Sequence, residues 1–154
     1  MIFPEINKRT GQYWTEENFK ALEKAQTIQE VLEVAQDIIS RMPDNLAQIC
    51  GPVTSGGKGS IEENLKFLDS VIDELHEQGV HIFDQMPYEE TFQRIAYSKT
   101  SNENHDDILT GFYEPIFESG KIKTLYFVPG WESSKGSNWE YMKAKELGMD
   151  INLI

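Results

Sequence analysis

The chain has 154 residues, enough for one domain with its own core, and 39% of them are hydrophobic. Its formal net charge of −12 excludes a nucleic-acid polymer as general partner, because phosphate backbones select basic surfaces. No apolar run approaches the roughly 20 residues that cross a bilayer, the N-terminus lacks a signal-peptide layout, and Cys50 is the only cysteine. A cytoplasmic protein with no membrane partner and no disulfide is expected.

Residues 1–14 show no period and read as an irregular arm. From Thr15 the pattern turns helical, with Phe19 and Leu22 on one face. Thr27-Ile-Gln-Glu30 is a capping box that opens a second helix. Ile28, Val31, Leu32, Ala35, Ile38 and Ile39 form its apolar stripe, and it stops before Pro43. These helices form an N-terminal extension over residues 1–45, suited to dimerisation and without chemistry of its own.

Residues 46–154 alternate strand and helix. Leu46–Cys50 is a short apolar strand that enters the glycine-rich stretch Gly51–Ser60. Ser60-Ile-Glu-Glu63 is a further capping box. Ile61, Leu65, Leu68, Ile72 and Leu75 hold helical spacing behind it, and Gly79 is the stop. Val80–Phe83 reads as a strand, Tyr88–Tyr97 as a short helix and Lys99–His105 as polar loop. Asp107–Ser119 is helical with Pro115 as an interruption. Lys123–Val128 is a strand, Gly136–Leu147 a helix ended by Gly148, and Ile151–Ile154 a terminal strand. Strands separated by helices imply βαβ units, hence an α/β fold with a Rossmann-like parallel sheet flanked by helices.

Ligands of such sheets bind beyond the carboxyl ends of the strands, and two loops there look specialised. Gly51–Ser60 allows close backbone approach and feeds a capped helix whose free N–H groups favour an anion; Gly56, Gly57 and Lys58 are its candidate contacts. It is neither a Walker A loop nor a dinucleotide fingerprint. Pro52 stands where the first needs a glycine, and Glu62 where the second does. The second loop, Pro129–Asn138, runs into a helix whose early turns hold Glu140. Trp131 and Trp139 are candidate walls for a flat ring, and Ser134, Ser137 and Asn138 offer neutral polar groups. An acid near a helix N-terminus is also what helix electrostatics alone selects. Asp84 ends the Val80–Phe83 segment at the same edge. His76, His81 and His105 share no metal-ligand spacing with Cys50 or each other.

Two of these pieces carry a family resemblance. Ile49-Cys50-Gly51-Pro52, with the glycine-rich loop and helix behind it, is similar to the opening strand and turn of the nucleoside 2-deoxyribosyltransferase-like superfamily. That superfamily includes 2′-deoxynucleoside 5′-monophosphate N-glycosidases. Ser134-Lys135-Gly136 followed by Glu140, behind a strand ending Val-Pro-Gly-Trp, resembles its closing signature. The resemblance spans about Ala47 to Ile154. It implies that Glu140 is the nucleophile, that Ser134 helps hold a 5′-phosphate, and that no metal or organic cofactor is needed. It also implies a small nucleotide or nucleoside as ligand and a homo-oligomer as the assembly. A second acid that protonates the leaving base is expected as well; Asp107 and Glu114 are the candidates, and neither falls cleanly in register. The alternative is a catalytically inactive nucleotide-binding or sensing module on the same scaffold.

Overall fold

A computed structural model describes residues 9–97 and 107–154 of the chain. The expected Lys99–His105 loop and the first part of the expected arm lie outside the described residues. The α/β chain divides into two compact units, each assembled from two stretches. Met1–Pro43 joins Asp84–Ile116, and Asp44–Phe83 joins Phe117–Ile154. Residues 84–116 thus group with residues 1–43 and not with residues 44–83.

In the first unit a short 3₁₀ turn, Gly11–Tyr13, leads to α1 (Glu16–Lys24) and α2 (Ile28–Ile39). Both helices start on a complete capping box. Thr15 pairs reciprocally with Asn18, and Thr27 with Glu30, which satisfies donors that no intrahelical carbonyl can reach. Arg94 closes the other end of α1, donating to the carbonyls of Ala25 at 2.7 Å and Leu22 at 3.3 Å. Helix α4 (Met86–Phe92) continues into a π turn, Gln93–Tyr97, while α3 (Ile61–Glu77) belongs to the other unit. A second π turn, Leu109–Tyr113, leads into α5 (Glu114–Glu118). This turn explains why Pro115 does not break the segment. Pro115 has no N–H to give, and the Glu114 N–H reaches back five residues to Leu109, so the backbone widens rather than ends. Phe112 is fully buried at the centre of an aromatic cluster with Tyr88, Phe92 and Tyr113, at 5.3, 5.0 and 4.9 Å between ring centres. Arg9 and Asp84 form an ion pair at 2.9 Å whose side chains are 2% and 1% exposed.

The second unit holds a parallel sheet of three strands in the order β1 (Leu46–Cys50), β2 (Ile122–Phe127), β3 (Asp150–Leu153). Every residue of β1 is buried, as expected of a strand covered on both faces. Helix α3 (Ile61–Glu77) follows β1, and α6 (Lys135–Leu147) connects β2 to β3. Ser60 caps α3 by accepting from the Glu63 N–H, so its half of the expected box forms. Gly79 and Gly148, both at positive φ, end the two helices where the pattern placed the stops.

The expected strand Val80–Phe83 is corrected to a single bridge. Ala47 gives its N–H to His81 and takes the N–H of Phe83, both at 2.8 Å, on the edge of β1 opposite β2. The pairing stops there because the next residues turn. The Asp84 carboxylate accepts the Met86 N–H, and Pro87 sits in the first turn of α4. Among the described residues no helix is long and apolar enough to cross a membrane.

Candidate functional site

Strand β1 has the Ile82 bridge on one edge and β2 on the other, so the chain reverses its winding direction at β1. A crevice opens at the carboxyl ends of two strands that part in this way. The loop after β1 and the loop after β2 both emerge there. Gly51 marks the start of the first. A Cβ at this residue would lie 2.5 Å from Val128 Cγ2 and 2.8 Å from Leu68 Cδ2, so a side chain here would displace the two residues that pack against the loop.

The two loops are tied to each other. The Gly57 N–H donates to Ser133 Oγ at 2.9 Å, and the Lys135 N–H donates to Ser55 Oγ at 3.2 Å. Buried Asn64, on the first turn of α3, organises the glycine loop from within. Its amide oxygen accepts the Lys58 N–H at 2.7 Å, and its Nδ2 donates to the carbonyls of Val53 and Gly56. The result is an open cavity of ≈ 370 Å³ at the N-terminus of α3, with Ser55, Gly56, Ser60, Asn64 and Ser133 in its wall.

Glu140 lies on the second turn of α6 and is 7% exposed. Its Oε2 accepts a hydrogen bond from Nε2 of Gln48 at 2.9 Å, and Gln48 is wholly buried in the middle of β1. Gln48 and Cys50 are two residues apart on one strand and so share a face. Burial pushes the Cys50 thiol well above its ordinary range, and the negative charge of neighbouring Glu140 pushes it further. Cys50 is therefore a neutral thiol beside the Glu140 carboxylate and not a nucleophile.

The remaining expected residues sort by placement. Cys50, Gly51, Pro52, Gly56, Gly57, Lys58, Trp131, Ser134, Gly136, Ser137, Asn138 and Glu140 all belong to the second unit. Asp84, Asp107 and Glu114 belong to the first. Ser134 is the N-cap of α6, its Oγ accepting the Ser137 N–H at 3.1 Å. Asn138 donates to the carbonyls of Glu132 and Ser134, which fixes the loop. The Lys58 ammonium lies 4.8 Å over the ring of Phe67.

Trp131 stacks on Tyr141 at 4.8 Å and packs on Phe127, and Trp139 stacks on Phe117 at 6.2 Å. Both indoles thus have aromatic partners within the unit, and packing accounts for them. Gln48, Asn64 and Ser133 carry much of the site's hydrogen bonding and were not singled out from sequence. A glutamine inside the apolar run LAQIC, and an asparagine on the inner face of an otherwise apolar helix stripe, were the available signals.

No protein-family model matches this chain, and neither a curated protein nor a solved structure matches it.

Proposed function

We propose that this chain is a nucleotide N-glycosidase with a Rossmann-like domain, similar to the nucleoside 2-deoxyribosyltransferase-like superfamily. The observation that carries the reading is the Glu140 carboxylate. It is buried on α6 and held by an amide donor from the middle of β1. Breaking an N-glycosidic bond builds positive charge on the sugar, and a fixed carboxylate beside C1′ stabilises that charge or captures the carbon. Glu140 adds to C1′ as the C1′–N bond breaks. The bonding pair leaves on the base nitrogen, which takes a proton, and water or an acceptor base then displaces the carboxylate.

The substrate's 5′-phosphate sits at the loops around Ser134 and Gly56, where helix N-termini supply N–H groups without requiring a basic surface. The single, buried cysteine fits a cytoplasmic setting, and a homo-oligomer is the assembly in this reading.

A second reading is a nucleotide-binding or sensing module without turnover, favoured by Glu140 being only 7% exposed and already hydrogen-bonded to Gln48. One experiment separates the two. The protein is incubated with ribo- and deoxyribonucleoside 5′-monophosphates, and free base is measured by chromatography. The enzyme reading expects base release that falls roughly a thousandfold or more in Glu140→Gln. Binding without release in the wild type establishes the sensor, and release that survives in Glu140→Gln removes this residue from the chemistry.

A further inference from the structure

Strand β1 is apolar at every position but one. Gln48 stands in the middle of Leu46–Cys50, a strand whose every residue is buried. A buried amide costs free energy unless its polar atoms are matched, so an aliphatic residue would serve the sheet better here. The match lies on α6, where Oε2 of Glu140 accepts from Nε2 of Gln48 at 2.9 Å, across 92 residues of chain. An ionised carboxylate only accepts, so the amide nitrogen must be the group that faces it.

The mount is stiff. Gln48 pairs with Leu125 of β2 on one edge of the strand, and its neighbour Ala47 is bonded to His81 and Phe83 on the other. A glutamate side chain turns about three bonds, and a donor fixed on a paired strand leaves it fewer arrangements. The neutral Cys50 thiol, on the same face of β1, hydrogen-bonds the same carboxylate more weakly. Both partners are uncharged. An arginine or lysine in their place would hold Glu140 as an ion pair and cancel the charge that a positive sugar needs. An amide orients the carboxylate and leaves its charge in place.

We propose that Gln48 is a positioning residue for Glu140: its amide holds the carboxylate in the rotamer that attacks C1′, and it touches no substrate itself. This rests on the glycosidase reading. A carboxylate oriented before the substrate arrives spares the reaction the entropy of orienting it, so the gain falls on the chemical step and not on binding. The opposite role, a lock that keeps Glu140 away from the sugar, would use the same bond, and the sign of one substitution tells the two apart.

Base release from ribo- and 2′-deoxyribonucleoside 5′-monophosphates is measured for the wild type, Gln48→Met and Gln48→Glu, with urea denaturation to establish that each is folded. Gln48→Met keeps the length and loses the donor. It is expected to lower kcat about ten- to a hundredfold, the effect of losing a hydrogen bond to a charged group, with KM within about twofold of the wild type. Gln48→Glu keeps the shape and sets two carboxylates side by side next to the Cys50 thiol, where they share one proton. The new carboxyl donates to Glu140 only while it holds that proton. This variant is therefore expected to exceed Gln48→Met at acid pH and to lose the advantage as pH rises. A merely structural residue shows neither the kcat loss in a folded variant nor this rescue. Gln48→Glu carries the test should Gln48→Met fold poorly. Base release with kcat unchanged or raised in Gln48→Met, or a loss confined to KM, overturns the positioning role and leaves the glycosidase standing. No base release from the wild type removes both.

Discussion

Replacing Gly56 by alanine tests whether the two loops form one site. Gly56 has φ +71°, and a Cβ built there would lie 2.3 Å from the carbonyl oxygen of Ser133, 2.4 Å from its Oγ and 2.6 Å from its carbonyl carbon. The left-handed backbone alone costs a non-glycine residue about 1–2 kcal/mol. Two of the three close atoms are main chain, and Ser133 is held in its turn by a hydrogen bond to Gly130, so a side-chain rotation does not relieve the clash. The loops must separate, and the Gly57 N–H then loses Ser133 Oγ, worth about 1 kcal/mol more.

Gly59→Ala is the internal control. It has φ +95° but nothing within 4 Å of the added carbon, so it bears the backbone cost alone. Gly56→Ala is therefore expected to be less stable than Gly59→Ala by about 1–2 kcal/mol in urea denaturation. It should also bind nucleotide monophosphates more weakly, because the cavity wall contributed by Ser133 has moved. Equal stability of the two variants, with unchanged nucleotide affinity, would refute the idea that the loops act as a unit.

Two further outcomes follow from the cores of the units. Phe112→Ala should cost about 3–5 kcal/mol, since a fully buried ring with three aromatic neighbours leaves a cavity they cannot fill; a loss under about 1 kcal/mol in chemical denaturation would show the cluster to be dispensable. Cys50 should make the fold sensitive to alkali. Its folded thiol holds a proton more tightly than the unfolded one, because of burial first and Glu140 second. The stability this proton carries is complete below the unfolded value of about 8.5 and is lost as pH rises above it, at up to about 1.4 kcal/mol per pH unit. Cys50→Ala should remove that slope, measured as the difference between the two proteins from pH 8 to 10, and parallel curves would count against the assignment.

The parts of the fold that were legible in the sequence are those fixed by local chemistry. Thr27 and Glu30 announce the start of α2, Ser60 and Gly79 bracket α3, and Gly148 ends α6, because caps and left-handed stops depend on near neighbours alone. The segment Val80–Phe83 looked like a strand because its residues favour extended backbone. Whether such a run pairs for four residues or one depends on where the chain turns next, and Asp84 to Pro87 turns it at once.

The same division runs through the site. The loops and Glu140 stood out by composition and position. Gln48 did not, since its role arises from a contact with a residue 92 positions away. Trp131 read as a ring-binding wall, yet Tyr141, ten residues later on α6, supplies a stacking partner that the linear text does not display.

The interleaving of the two units has a consequence for synthesis. Strand β1 is among the first parts of its unit to leave the ribosome, but Cys50 pairs with Phe127, so about 80 further residues must be translated before its partner exists. At ordinary elongation rates that is a wait of roughly 4–16 s for a strand whose every residue is destined for the interior. During that interval the nascent segment Leu46–Cys50 has only the short stretch around Ile82 to pair with. Chains released early, before β2 is complete, would carry this run uncovered and become natural clients for holdase chaperones.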